Sequence, residues 1–226
     1  MSSSPSSSPL PSAGRRRLSL AALLTGLLGT AVLALSMNSS LAAFTASITN
    51  SVNTAGAGTV IMQEQNAAGT TTCTSTDGTG NNVTTNTATC ATINKYGGST
   101  TMVPGQTVST TVTIKNTGTA SVSGFTLAPG TCTQSGNVTG SATDLCAKLG
   151  VVISQTGTNL GGTTTTVTPA ASTLTTLATG GALTLPAPVA AGTTATFKFD
   201  VTLAAGSGNT YQGLAASQPL VWTFTA

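Results

Sequence analysis

Residues 195–203 read Ala-Thr-Phe-Lys-Phe-Asp-Val-Thr-Leu, with an apolar side chain at every second position. A repeat of two is the spacing of a strand buried on one face, and a helix cannot gather those side chains on one side. The pattern recurs. Val108, Thr110, Val112 and Ile114 alternate with Ser109, Thr111, Thr113 and Lys115, and Leu220, Trp222 and Phe224 alternate with Val221, Thr223 and Thr225. Asn116–Thr119 is expected to turn the chain, and Val122–Leu127 to return as the second strand of a hairpin. A bulge is expected at Gly124, where the alternation shifts to put Phe125 and Leu127 on one face. Phe44–Thr49, Thr59–Gln63, Thr89–Ile93, Val151–Ser154 and Leu183–Leu185 are further expected strands. Helix is confined to Ala142–Leu149, capped by Ser141 or Thr143 with Leu145 and Leu149 on one side, and to Ser172–Ala178. Thr-rich strands separated by Gly, Pro and Asn turns predict an all-β fold, an antiparallel β-sandwich with one or two short helices. Phe125, Phe197, Phe199, Trp222 and Phe224 sit on the strand faces, where they are expected to pack the core rather than form a sugar-binding platform.

Ahead of these strands the chain has the layout of an export signal. Residues 1–14 are mostly Ser and Pro, which cannot bury a core; Arg15, Arg16 and Arg17 follow, and Leu18 to Met37 is uncharged and rich in Leu and Ala. A positive stretch, an apolar run and small residues together make a secretory signal, with Ser40 and Ala42 at the minus-three and minus-one positions of a cut between Ala42 and Ala43. The apolar run is also long enough to span a bilayer, so an uncleaved anchor is the competing reading. Either way the arginines stay in the cytoplasm and residue 43 onward lies outside. The expected organisation is a Ser/Pro leader with its arginines over 1–17, an apolar signal helix and cleavage region over 18–42, a strand with a tether over 43–58, and a β-domain over 59–226.

Charge restricts the chemistry. The chain has seven Lys or Arg, four Asp or Glu and no His, so 5% of residues are charged, against about 25% in an ordinary domain. Without imidazole there is no Ser-His-Asp or Cys-His machinery, no His-containing zinc site and no histidine pH switch. Beyond Arg17 the basic residues are Lys95, Lys115, Lys148 and Lys198, which stand alone and build no face for nucleic acid. Glu64, Asp77, Asp144 and Asp200 balance them, so the exported part is formally neutral and lacks the repulsion that keeps chains apart. Asp77–Asn82 has oxygen groups and glycines like a calcium loop, but its single carboxylate reads as a plain loop tip. No catalytic residue, metal or cofactor is expected. The composition favours a coat, matrix or adhesive protein.

Cysteine usage agrees with export. Cys73, Cys90, Cys132 and Cys146 all follow the signal, an even count in an extracellular context that allows three pairings. The intervals 73–90 and 132–146 each read as one Gly/Asn/Ser/Thr-rich loop, which favours Cys73 with Cys90 and Cys132 with Cys146. Spacing without a C-x2-C pair argues against a four-cysteine zinc site.

Ala42-Ala43-Phe44-Thr45 after a long apolar run, Ala55-Gly56-Ala57-Gly58-Thr59-Val60, and Val103-Pro104-Gly105-Gln106-Thr107 leading into a strand that ends Lys115-Asn116-Thr117-Gly118 together resemble the TasA/camelysin (CalY) family. Asn209-Thr210-Tyr211-Gln212-Gly213 before the last strand fits the same pattern, and Asp144-Leu145-Cys146-Ala147-Lys148-Leu149 is similar to a segment of actinobacterial members. The cysteine pairs and the Ser/Pro leader depart from the better-known firmicute members. The resemblance implies a jelly-roll-like sandwich, bacterial export through the Sec translocon, processing by a SipW-type signal peptidase, and a fibre of the biofilm matrix. It also implies that the strand after the cleavage site is donated to the next subunit.

Residues 43–49, Ala-Phe-Thr-Ala-Ser-Ile-Thr, have the composition for that strand, with Phe44, Ala46 and Ile48 on the face that would fill an acceptor. Head-to-tail donation does not close on itself and yields a homopolymer. The same strand can instead fold into its own domain. Two other functions stay open: a monomeric cell-surface adhesin whose Thr-rich faces bind a glycan or protein, and a camelysin-type metallo-endopeptidase. The latter is disfavoured by the absence of H-E-x-x-H and by scattered carboxylates.

Overall fold

The computed structural model describes residues 26–29, 48, 52, 54–77, 86–157, 160–186 and 189–226. The chain divides into two compact units, Met1–Ala55 and Gly56–Ala226. In the first, residues 26–29 form a helical turn whose Leu27 and Leu28 are exposed. Among the described residues no helix is long and apolar enough to cross a membrane.

The second unit is all-β with short helices. Its strands are β1 (Met62–Asn66), β2 (Thr72–Thr74), β3 (Thr107–Asn116), β4 (Gly124–Pro129), β5 (Thr133–Ser135), β6 (Leu149–Gly157), β7 (Thr165–Thr166), β8 (Leu183–Thr184), β9 (Thr194–Leu203), β10 (Ala215–Ser217) and β11 (Leu220–Thr225). Among the described residues they are accompanied by two α-helices, α1 (Leu145–Lys148) and α2 (Leu174–Thr179), and a 3-10 turn at Asn209–Tyr211. Every strand pair is antiparallel. A six-stranded sheet runs β2-β1-β3-β9-β6-β7, a three-stranded sheet β11-β4-β8, and β10 pairs with β5.

The alternation of β9 is what builds the core. Ala195, Phe197, Phe199, Val201 and Leu203 are buried on one face, between Val112 and Ile114 of β3 and Val151 and Ile153 of β6. Facing them from the smaller sheet are Phe125 and Leu127 of β4. The Phe125 and Phe197 rings meet edge to face at 5.6 Å and 82°.

Several expectations are corrected. Strands β3 and β4 are not a hairpin: they belong to different sheets, β3 pairing with β1 and β9 and β4 with β8 and β11. The connection passes from one sheet to the other, and fully buried Asn116 clamps it. Its Nδ2 donates to Ala120 O (2.8 Å) and Val189 O (3.1 Å), and its Oδ1 accepts from Gly118 N (3.0 Å). Gly118 is needed there, since a Cβ would stand 2.1 Å from Thr59 O. The one-residue offset expected at Gly124 is present, because Ser123 N–H donates to Thr225 O although Thr225 is in register with Gly124.

The first domain strand falls at Met62–Asn66 rather than Thr59–Gln63. Thr59 and Ile61 still accept hydrogen bonds from Thr117, Thr119 and Ala120. Thr89–Ile93 is irregular, not a strand: it has no ladder, and side chains hold it. The helix at 145–148 is shorter than expected, and its N-cap is Asp144, not Ser141 or Thr143. Leu149 leaves it to pair with Leu203. Helix α2 starts after Thr173, whose side chain forms a capping box with Thr176. The interval 132–146 is not wholly loop, since it contains β5.

Candidate functional site

Among the described residues strand β11 is paired on one side only, with β4, which leaves its other edge open. Pro219 O accepts from Gly130 N and the register continues Val221↔Ala128 and Thr223↔Thr126. In an antiparallel ladder alternate residues point their main-chain groups to the same side, so the N–H and C=O of Leu220, Trp222 and Phe224 face the open edge. No partner takes them among the described residues. Strand β10 continues that edge on the N-terminal side of Gln218 and Pro219.

Along the edge lies a cavity of about 1100 Å³. Val60, Met62, Ile93, Trp222 and Phe224 supply apolar lining, with the Cys73–Cys90 sulfurs on the β2 side. Trp222 and Phe224 are half-buried. They were expected as packed core; they sit at its margin, with Trp222 against Phe197 at 4.7 Å and Phe224 against Phe125 at 4.8 Å.

One charged pair interrupts the apolar lining. Lys95 Nζ is 2.7 Å from Glu64 Oε1, with side chains only 10% and 7% exposed. Trp222 Nε1–H also donates to Glu64 Oε1, at 3.4 Å. The next residue reaches the other wall: the Tyr96 hydroxyl donates to Gln218 Oε1 (2.7 Å), and Gln218 Nε2 donates to Gly130 O (2.8 Å) and Leu174 O (2.9 Å). Burial pushes the Tyr96 phenol up from its ordinary value. Lys95 and Tyr96 therefore tie β1 to the open edge.

Cys73 is bonded to Cys90 and Cys132 to Cys146. The first bond, with Asn86 donating to Val60 O and accepting from Ser75 Oγ, holds residues 86–93 beside the β1–β2 hairpin. Asp77 Oδ2 accepts from Thr74 N, closing a tight turn; Gly78–Asn82, the rest of the calcium-like stretch, lie outside the described residues. So do Ala42 and Ala43 of the cleavage site and Phe44 and Ala46 of the strand after it. Ile48 is described, and it is fully exposed. The remaining carboxylates do not converge: Asp144 meets Tyr211 and Lys148, and Asp200 meets Ser109 and Lys198.

Sequence reasoning missed Glu64, Lys95, Tyr96 and Gln218. The available signal was Glu64 itself, a lone carboxylate in phase with inward-facing Met62. No protein-family model matches the chain, and no curated protein sequence matches it.

Proposed function

We propose that the exported chain is a structural subunit of an extracellular bacterial fibre or biofilm matrix, assembled when residues 43–49 of one copy enter the groove beside β11 of the next. The observation that carries this is the open edge over an apolar floor. Main-chain groups of Leu220, Trp222 and Phe224, unpaired among the described residues, offer a ladder, and Met62, Ile93, Trp222 and Phe224 offer surface to Phe44, Ala46 and Ile48. A strand there completes the smaller layer of a β-sandwich. The two disulfides fit an oxidising compartment outside the cytoplasm. They support export from the cytoplasm; the Sec route and SipW-type cleavage between Ala42 and Ala43 are what the TasA/camelysin resemblance implies. The role is non-catalytic and needs no cofactor.

Electron microscopy and light scattering of residues 43–226 are expected to show filaments that grow with concentration. Deletion of 43–50, and separately Phe44→Asp with Ile48→Asp, are expected to abolish them. Undiminished fibres from the deleted chain would overturn the reading. A monomer that never assembles, yet loses stability on the same deletion, would assign the strand to its own domain.

A further inference from the structure

The charged pair on the groove's lining has unused hydrogen-bonding capacity. An ammonium carries three N–H donors, and among the described residues Lys95 makes one bond, to Glu64 Oε1, which also accepts from Trp222. Glu64 Oε2 has no hydrogen bond among the described residues. Both side chains line the cavity. Water serves them while the groove is open, but a strand laid over it strips that water, and an unserved charged group in a dry site is costly. The occupant must therefore bring an acceptor for Lys95 and a donor for Glu64 on one inward-facing side chain, flanked by apolar ones. A carboxamide has both, separated to reach both partners, and adds no net charge.

The chain contains such a side chain in the right phase. The apolar floor selects the phase with Phe44, Ala46 and Ile48 inward, because the other is Thr45, Ser47, Thr49 and Ser51. Continuing that phase gives Asn50 and then Val52. Ile48 and Val52 hold their side chains 100% and 74% exposed, so both have apolar surface left to bury. We propose that the Glu64–Lys95 pair reads Asn50 of the inserted strand, which runs on to Val52 and is registered with Asn50 level with Trp222. This rests on the strand-insertion reading and deepens it, making the pair a register and selectivity device. Buried polar partners are best attested in that use.

The test uses a peptide of residues 43–53 and the exported chain 43–226 carrying Phe44→Asp and Ile48→Asp, which disable its own segment. Binding is read from the emission of Trp222, the single tryptophan. The natural peptide is expected to bind saturably with a blue shift. The Asn50→Leu peptide is expected to bind about tenfold more weakly or worse, from two lost bonds to charged groups. On a chain with Glu64→Leu and Lys95→Met the preference for the natural peptide is expected to vanish or reverse, because the carboxamide is then the unserved group, and the difference between the two chains is the coupling that a double-mutant cycle reads for a direct contact. No binding of the natural peptide overturns strand insertion and this inference with it. Equal binding of the natural and Asn50→Leu peptides to the unaltered groove overturns the register assignment alone, and that comparison changes no residue of the folded domain.

Discussion

Trp222 packs against Phe197 with ring centroids 4.7 Å apart, one ring half-buried at the groove and the other fully buried. Trp222 also touches Phe125 and Phe199, so it joins the two sheets while lining the open edge. Trp222→Ala is expected to cost about 3 kcal/mol, at the low end for an aromatic truncation because the site is part-exposed. Trp222→Phe is expected to cost no more than about 1.5 kcal/mol. Urea unfolding followed by far-UV circular dichroism measures both. Equal effects of the two would mean that ring packing is not what Trp222 contributes.

The Glu64–Lys95 pair is expected to be asymmetric under mutation. Lys95→Met leaves the Glu64 carboxylate with only the Trp222 N–H and the water of the open groove, at a cost of about 1–3 kcal/mol. Glu64→Leu with Lys95→Met removes both charges and is expected to be near neutral or stabilising. Denaturant midpoints of the single and double variants decide between this and additive losses.

Asn116 carries the crossing between layers. Asn116→Ala would leave Ala120 O, Val189 O and Gly118 N without those partners at a fully buried site. A loss of about 3 kcal/mol or more is expected, since Gly118 N and Ala120 O lose their partners together, while Val189 O keeps its bond from Val122 N. A loss under about 1 kcal/mol in urea unfolding would mean that the crossing is held by the flanking strands instead.

Strands β3, β9 and β11 were legible in the sequence because burial on one face writes itself into every second residue. What was not legible depends on partners distant in the chain. The turn at Asn116–Thr119 looks like a hairpin until Val189 O, far along the sequence, is seen to accept from Asn116. Thr89–Ile93 has strand-forming residues, yet Cys90 is bonded to Cys73 and no ladder reaches it. The groove itself was invisible. Trp222 and Phe224 carry the same alternation as Phe197 and Phe199, and an open edge is no property of a strand's own residues. Glu64 and Lys95 were counted as isolated charges, because nothing local shows that residues 94–96 fold back onto β1.

Stability is expected to be flat from about pH 5 to 9, since the chain has no His and its cysteines are bonded. The Tyr211 hydroxyl, with Lys148, holds Asp144 below the usual carboxylate range. Partial burial works to raise Asp200, but the Ser109 hydroxyl and Lys198 outweigh it and keep it low as well. Depressed carboxylates contribute stability above their unfolded values, near 4, and lose it as pH falls through the lower folded ones. At the alkaline end the signs reverse. The hydrogen bond to Asp144 raises Tyr211, and burial raises Tyr96. Their contributions are complete below about pH 10 and are lost as pH climbs through the raised folded values. A melting temperature that moved markedly between pH 6 and 8 would contradict this.

The two disulfides are expected to separate stability from assembly. They close loops of similar sequence separation, 17 and 14 residues, so in the chain-entropy account each contributes about 3 kcal/mol, and losing either lowers the melting temperature by on the order of 10 °C. Their positions differ, however. Cys73 and Cys90 line the groove, and the bond between them helps fasten residues 86–93, which have no ladder of their own. Cys132, just before β5, is bonded to Cys146 of α1, and neither lines any part of the groove. At a temperature where both variants are folded, Cys73→Ser with Cys90→Ser is expected to weaken binding of the 43–53 peptide and raise the concentration needed for filaments. Cys132→Ser with Cys146→Ser is expected to leave both close to those of the unaltered chain. Calorimetry paired with peptide titration checks this. Equal loss of peptide binding in the two variants would mean that the 86–93 wall takes no part in holding the strand.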